Sequence, residues 1–415
     1  TTAADNTAVG TLALTANSSG TDNTAVGYAA GDAVTTGSDN TLIGDNAGGA
    51  LTTGGDNTAI GSGALATEDG NGQNVAVGSA ALATLNAGAD AGNVAIGYQA
   101  LTAASTGVDN VAVGANAGDA VTTGADNTFV GDNAGGATTT ANNNVAVGSS
   151  ALLVNSTGTQ NVAVGASALL SNTTASYSTA VGYDGAKVNS TGASLTAVGS
   201  YALDANTTGN YNTAVGSSAL GANTTASNNT ALGYSALYVN STGSYNTAVG
   251  HEALTANTTG EQNVAMGRGA LIANTTASYS VAVGDSALTS ATTGGSNTAI
   301  GSAAGLSIST GSNLQAFGKD AARSGSPGGA ATTGSNAVYI ADENITAAYI
   351  QVDWTISSDE RDKTDFTALD LGLDFVKDLA PVTYKWDKRS NYINKNDPAV
   401  DLDKVVADGT HKEDW

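Results

Sequence analysis

Residues 357–363, SSDERDK, hold the side chains of this sequence that are best suited to covalent chemistry. A serine hydroxyl becomes a nucleophile at neutral pH when a base takes its proton, and a partly desolvated lysine amine can be that base. Ser358 and Lys363 are therefore a candidate dyad. Their spacing by itself is weak evidence, because a surface turn with solvated charges has the same composition.

Other catalytic or metal-binding patterns are missing from the sequence. The chain has no cysteine, which removes disulfides, cysteine nucleophiles and cysteine metal sites. The two histidines, His251 and His411, are isolated, as surface residues usually are. Paired carboxylates do not recur at a fixed spacing, and the GGxGxD pattern of calcium-binding β-rolls is absent. We therefore predict no cofactor, no metal and no enzyme that turns over a separate substrate.

The charge is sparse and acidic, with a formal net charge of −23. Up to Gly318 there are 18 acidic residues against two bases, Lys187 and Arg268, and from Lys319 onward 18 against 11. This balance disfavours nucleic acid and anionic membranes as partners. No apolar run approaches the roughly 18 residues that cross a bilayer, so no membrane insertion is predicted. The chain starts at Thr1 rather than at methionine, so we expect a segment to precede it.

The sequence up to Gly318 repeats the motif N-[TV]-A-[VI]-G with a period of 17 residues, broken by one interval of 19 between Gly78 and Gly97. The motif glycines are Gly10, Gly27, Gly44, Gly61, Gly78, Gly97, Gly114, Gly131, Gly148, Gly165, Gly182, Gly199, Gly216, Gly233, Gly250, Gly267, Gly284, Gly301 and Gly318. A period this short, without a ten-residue helical pattern, predicts a solenoid coil with two short strands and two turns.

The residues of one repeat predict their own environment. In Thr213-Ala214-Val215 both strand faces are apolar or small, and such strands are usually buried on both faces. We expect one face to fill the coil and the alanine face to contact neighbouring chains. The glycine that follows is expected at positive φ or in a close contact. The asparagine that precedes the strand is expected to bond a turn and to stack between coils.

Two irregularities accompany the repeat. The extra residues between Gly78 and Gly97 are expected to form a bulge over residues 85–92 that leaves the coil intact. Several turns match the glycosylation sequon, and we interpret the match as a by-product of the repeat. These turns begin at Asn155, Asn189, Asn206 and Asn240.

The character of the sequence changes after the repeat. Residues 324–334, SGSPGGAATTG, read as a linker, and residues 336–341 and 348–356 read as strands. A short amphipathic helix over residues 371–379 and a strand over residues 382–386 are predicted next. The expected domains are a repeat β-roll over 1–321, a linker and β neck over 322–356, and a third segment over 357–415.

The pattern NTAVGxxALxxNTTG resembles the head repeats of trimeric autotransporter adhesins and related repeats of bacteriophage tail fibres. That resemblance covers about residues 1–321. It implies an all-β fold, a parallel β-roll or β-solenoid of about nineteen 17-residue coils, assembled as a homotrimer. The small β neck and a partial α+β segment would follow it.

The C-terminal segment resembles the intramolecular chaperone of phage endosialidases and tail spikes, the S74 peptidase family. The resemblance rests on the S-D-x-R-x-K match at residues 358–363 and on PVTYKW at residues 381–386. It implies that Ser358 is the nucleophile, that Lys363 is the general base, and that the bond between Ser357 and Ser358 is cut. The family domain runs on further, so we expect the chaperone to be truncated in this chain.

Together these resemblances imply an extracellular fibre of a virion tail. Its partners would be two copies of itself and a host-surface receptor, either a glycan or a surface protein. One alternative is a bacterial trimeric surface adhesin, which predicts a C-terminal membrane anchor. Another is an ice-binding solenoid, suggested by recurring threonines such as Thr207 and Thr208. Calcium-binding β-rolls and polysaccharide-degrading spikes lack their defining residues here.

Overall fold

The computed structural model describes residues 3–323, 326, 329–342 and 344–346. These residues belong to one compact unit, Thr1–Ala348. They form one parallel sheet of twenty short strands, and the described part of the chain contains no helix. The prediction of an all-β parallel solenoid is thus confirmed.

Each coil contributes one strand to the sheet. In chain order the strands are β1 Thr7–Val9, β2 Thr24–Val26, β3 Thr41–Ile43, β4 Thr58–Ile60, β5 Val75–Val77, β6 Val94–Ile96, β7 Val111–Val113, β8 Thr128–Val130, β9 Val145–Val147, β10 Val162–Val164, β11 Thr179–Val181, β12 Thr196–Val198, β13 Thr213–Val215, β14 Thr230–Leu232, β15 Thr247–Val249, β16 Val264–Met266, β17 Val281–Val283, β18 Thr298–Ile300, β19 Leu314–Phe317 and β20 Ala337–Ile340.

The strands pair in parallel with their equivalents in the adjacent coils, as Thr213 does with Thr230 and Ala214 with Ala231. Their first and third residues are mostly threonine or other β-branched residues, which favour the extended backbone. Nineteen steps at the usual strand spacing of about 4.8 Å give a solenoid about 90 Å long.

The strand ends where the motif glycine turns the chain. Gly216 has a φ of 134°, and a Cβ on it would collide with the backbone of Gly233 in the next coil. Both expectations for this glycine, positive φ and close contact, are therefore confirmed. Only glycine combines this φ with so close a backbone approach.

The prediction of a second strand in each coil is wrong. The Ala-Leu segment lies in turns, where Ser218 and Leu220 have φ values of 58° and 51°, so the backbone is not extended. The N–H of Ser218 donates to the carbonyl of Ser200 in the preceding coil, and that of Leu220 to Ala236 in the next coil. The turn is thereby hydrogen-bonded to the coils on both sides of it.

The strand alanines point into the coil and not toward a neighbouring chain, which corrects the expectation from the sequence. Ala214 is fully buried, as are Ala219 and Leu220 of the opposite turn. These residues belong to one continuous apolar core along the solenoid. The middle residue of the strand fills the interior from this side, and it is alanine in most coils. The outward residues are Thr213 and Val215.

Among the coils of β1–β19, two carry a large side chain at the inward strand position where the others carry alanine. Phe129 and Leu42 are both fully buried. A Cβ on Gly135 would lie 2.5 Å from the ring of Phe129, and one on Gly118 would lie 2.7 Å from it. Gly31 and Gly48 flank Leu42 in the same way. Most other coils have alanine on the strand and leucine at the position of these glycines. A large side chain on the strand is therefore compensated by glycine on the opposite turn.

Asparagines stack in two buried columns. In the column before the strands, the N–H of Asn229 donates to the Oδ1 of Asn212 at 3.0 Å, and the Asn229 Nδ2 donates to the carbonyl of Gly243. The predicted ladder is therefore confirmed. A second column comprises Asn155, Asn172, Asn189, Asn206, Asn223, Asn240, Asn257 and Asn274, each Nδ2 from Asn172 onward donating to the preceding Oδ1.

The irregular parts of the array keep the register of the sheet. Val75 still pairs with Val94 across the two-residue insertion, and residues 86 and 88–90 are exposed, which confirms a surface bulge. After the last motif glycine, Ala337–Ile340 forms the strand expected there and adds one more parallel rung on β19. The strand predicted over residues 348–356 lies outside the described residues.

Candidate functional site

The outward strand residues form a neutral stripe along the solenoid, which we call the strand face. It consists of the first and third residues of β1–β18. The first is threonine or valine, and the third is valine, isoleucine, leucine or methionine. Both positions are half-buried or exposed, and Leu232, Met266 and Ile300 are exposed apolar examples. A stripe of this length has the same chemistry in every coil.

A second regular feature is a column of exposed threonines, the threonine column. Its members are Thr106, Thr123, Thr140, Thr157, Thr174, Thr191, Thr208, Thr225, Thr242, Thr259, Thr276, Thr293 and Thr310. The residue before each of them is serine or threonine, and its hydroxyl usually donates to a carbonyl of the next coil, as Thr207 does to Thr224 at 3.0 Å. The exposed column makes no such bond within the described residues, so its hydroxyls face solvent.

The third feature is a row of exposed tyrosines, the tyrosine row. Tyr177, Tyr211, Tyr245 and Tyr279 are 65%, 65%, 60% and 60% exposed and occupy the position just before the strand asparagine or serine. They recur every second coil. Each has a φ between 57° and 62°, a left-handed conformation that is uncommon for bulky residues.

The same position carries different residues along the solenoid. Between the tyrosines it holds the polar residues Ser194, Asn228 and Gln262. In the N-terminal coils it is mainly acidic, with Asp5, Asp22, Asp39, Asp56, Asp109 and Asp126. This ridge therefore changes from acidic to aromatic along the molecule, whereas the strand face stays uniform.

Ionisable groups are few and do not form a catalytic cluster in the described part of the chain. Burial raises the pKa of Asp119 and of Asp204 above the usual carboxyl value. The hydrogen bond from Lys187 to Asp184, at 3.0 Å, raises the pKa of that lysine. Lys319 and Arg323 both pair with Asp320 and lower the pKa of its carboxyl.

The described residues offer neither a metal cluster nor a membrane-spanning helix. No group of three or more of their histidine, cysteine, aspartate or glutamate side chains is arranged to hold a metal ion. No helix long and apolar enough to cross a membrane occurs in this part of the chain.

The C-terminal segment is similar to a known family. Residues 358–401 match the Peptidase_S74 family model, the chaperone of endosialidase. This match covers a small part of the 415-residue chain. No curated protein matches the sequence. The endosialidase-type chaperone segment, as we call residues 358–401, therefore follows the solenoid along the chain.

The predicted dyad falls within this matched segment. Ser358 and Lys363, together with the bond after Ser357, lie outside the described residues, so their role stays a prediction. The sequon asparagines Asn155, Asn189, Asn206 and Asn240 are fully buried in the second asparagine column, where their amides are hydrogen-bonded. A buried amide is not accessible to a glycosylating enzyme.

Sequence reasoning noted the recurring threonines but missed the tyrosine row. The signal was present as a 34-residue spacing of tyrosine within the 17-residue repeat. It becomes informative only once the coil shows that these residues lie outside and one above another.

Proposed function

We propose that this chain is part of a trimeric fibre of the phage-tail type that attaches to a host surface. The observation that carries the proposal is the order of its parts, a regular parallel solenoid followed by an endosialidase-type chaperone segment. The resemblance of the repeats to trimeric autotransporter heads and tail-fibre repeats supports the same assembly. Receptor binding and extracellular location are part of this proposal.

A need for registration explains why such a fibre has a chaperone. Every coil of the strand face offers nearly the same surface, so three chains can slip by one coil at little local cost. A C-terminal segment that brings three ends together sets the register, after which the coils associate in order. Self-cleavage then removes the segment and makes the trimer kinetically trapped.

The proposed cleavage is a reaction of the chain with itself. The Oγ of Ser358 attacks the carbonyl carbon of Ser357 while the amine of Lys363 takes the hydroxyl proton. The nitrogen of Ser358 leaves with a proton, which forms an ester between the two residues. Water hydrolyses that ester, leaving a carboxylate on Ser357 and a new amino terminus on Ser358.

The full chain is expected to yield two fragments on a denaturing gel, one ending at Ser357 and one starting at Ser358. Ser358→Ala is expected to abolish the cut, and Lys363→Arg also, because guanidinium stays protonated and is no base. Ser357→Ala is the matched control that keeps the nucleophile and should still be cut. Mass spectrometry of the fragments identifies the bond. An uncut full chain, or a Ser358→Ala chain that is cut, contradicts the proposal.

The strand face is the surface best suited to contact between the three copies. It is neutral along its length, whereas the ridge carries stacked aspartates that would repel their counterparts in an acidic protein. It is also uniform, as a contact running along identical coils requires. The inward alanines take no part in it.

Introducing lysine on the strand face is therefore expected to separate the trimer. The double change Val215→Lys and Val249→Lys should shift the protein from trimer to monomer in sedimentation velocity, because it places unpaired charges in an apolar contact. Thr208→Lys and Thr242→Lys, which lie two coils apart in the threonine column as Val215 and Val249 do on the strand face, are the matched control and should leave a trimer. A trimeric strand-face variant, or a monomeric unmodified protein, would rule this contact out.

A further inference from the structure

The tyrosine row is not explained by packing within the chain. Its four rings are mostly exposed, and their backbone adopts a left-handed conformation that is unfavourable for bulky side chains. Polar residues such as Asn143 and Asn228 occupy the same position in other coils and suit left-handed φ better. The coil imposes this φ at the same position in the other repeats, so the φ does not explain why tyrosine stands there.

Contact between copies of the chain does not account for the row either. A lateral contact that runs along the solenoid needs equivalent residues in each coil, and the ridge does not have them. The ridge bears Asp22, Asp39 and Asp56 in consecutive N-terminal coils and tyrosines only from Tyr177 onward. The aromatic part is therefore a local feature of the C-terminal coils.

The threonine column lies on the same turn as the tyrosine row. Thr174 precedes Tyr177 by three residues, and the pair recurs as Thr208 with Tyr211, so the two rows run side by side along the axis. Tyrosine rings offer flat apolar faces with a polar edge. The threonine hydroxyls beside them are free to donate and accept hydrogen bonds. Sugar rings present apolar C–H faces and many hydroxyls, which is the complementary chemistry.

The spacing of the row suggests the shape of the ligand. Two coils at the strand spacing correspond to about 9.6 Å between successive tyrosines, close to the length of two linked pyranose rings. Over the coils from Tyr177 to Tyr279, Ser194, Asn228 and Gln262 lie between the rings. A linear chain of sugars would then meet an aromatic ring at every second unit and a polar side chain between.

We propose that this face, from Tyr177 to Tyr279, binds a linear neutral polysaccharide along the solenoid axis. Alternate sugar rings stack on the tyrosines, and their hydroxyls bond the threonine column. A neutral ligand fits because the protein is strongly acidic and the N-terminal part of the ridge carries aspartates. That the polysaccharide belongs to a host surface rests on the proposed function. The binding itself is inferred from the tyrosine row and the threonine column. An ice surface fits less well, because the projecting rings break the flatness that such a surface needs.

The test compares the full chain with a quadruple variant in affinity electrophoresis. Tyr177, Tyr211, Tyr245 and Tyr279 are each replaced by asparagine, which Asn228 shows to fit at a φ of 61°. The probes are soluble glucomannan, hydroxyethylcellulose and amylose cast into native gels. We expect at least one of them to retard the unmodified protein, and the quadruple variant to lose at least tenfold in affinity.

The matched control removes four equally exposed tyrosines from a different position. Tyr28, Tyr98, Tyr183 and Tyr234 follow the motif glycine, and serine, as at Ser200, replaces them. This control should bind like the unmodified protein, and circular dichroism should report an intact fold for both variants.

Several results overturn the inference. They are an unmodified protein that none of the probes retards, a quadruple variant that binds unchanged, and a control that loses binding equally. Dissociation of the quadruple variant in sedimentation would assign the row to contact between copies. A threonine-column variant that loses thermal hysteresis, with no polysaccharide binding in the parent, would assign the face to ice. Trimer formation and self-cleavage are measured in separate experiments. If either of them fails, retardation of the protein in the polysaccharide gels still tests the inference.

Discussion

Replacing Phe129 with alanine is expected to lower the free energy of unfolding by about 3–5 kcal/mol, although alanine occupies the same position in both adjacent coils. The reason is that glycine, and not leucine as in most coils, lies opposite Phe129. Gly118 and Gly135 flank the ring, so truncation leaves a cavity that no neighbouring side chain fills. Thermal unfolding followed by circular dichroism measures the loss.

A second substitution should restore the stability that Phe129→Ala removes. Gly135→Leu in the Phe129→Ala background places leucine where most coils have it, and the φ of 64° at Gly135 is close to the 54° of Leu152. We expect the double variant to recover most of the lost stability. Gly135→Leu alone should be destabilising, because its Cβ would lie 2.5 Å from the Phe129 ring.

The double-mutant cycle therefore has a strongly favourable coupling, the signature of two residues that share one space. Additive losses in the double variant would show that Phe129 and the glycines do not compensate for one another. Amide hydrogen exchange locates the effect, since a solenoid opens locally and neighbouring coils should lose protection first.

Gly216→Ala is expected to destabilise the solenoid by more than about 3 kcal/mol, through backbone strain and a forced separation of coils. The φ of 134° is unfavourable for alanine, and the added methyl group would overlap the Gly233 backbone. Backbone cannot move aside without breaking the sheet. Limited proteolysis should then cut near this coil at a temperature that the unmodified protein withstands.

Gly221→Ala in the same coil is the matched control. Its Cβ would lie 2.8 Å from the ring of Tyr238, a side chain that is 42% exposed and can rotate away, and 3.3 Å from the carbonyl oxygen of Ser218. The equivalent position holds Asp204 and Lys187 in nearby coils, so a side chain is tolerated there. Equal effects of the two substitutions would refute the argument that the close approach at Gly216 is what requires glycine.

Much of the fold follows from the sequence because its causes are local. The spacing of Gly216 and its equivalents determines the coil length, since each glycine marks one obligatory turn. The asparagine before each strand predicts a ladder, since identical residues must stack when identical coils stack. The endosialidase-type chaperone segment is likewise recognisable from short motifs around Ser358 and at residues 381–386.

The tertiary structure alone decided which side of each strand is inside. Alternation places Ala214 opposite Thr213 and Val215, but it does not say which of them the coil encloses. In the closed coil the middle residue of the strand points in, as Ala214 does, and the strand face points out. The Ala-Leu segment reads as a strand in sequence and becomes a turn because Leu220 adopts left-handed φ.

The candidate surfaces were decided in the same way. A tyrosine every 34 residues is only a periodicity until stacking aligns Tyr177 with Tyr211 and sets both beside the threonine column. Phe129 and Gly135 share the space inside one coil, and no local pattern in the sequence indicates that their sizes compensate. The sequence by itself determined the repeat, its length and its turns, because these are properties of neighbours along the chain. Which residues face inward, outward or one another was decided only when the coils closed and stacked.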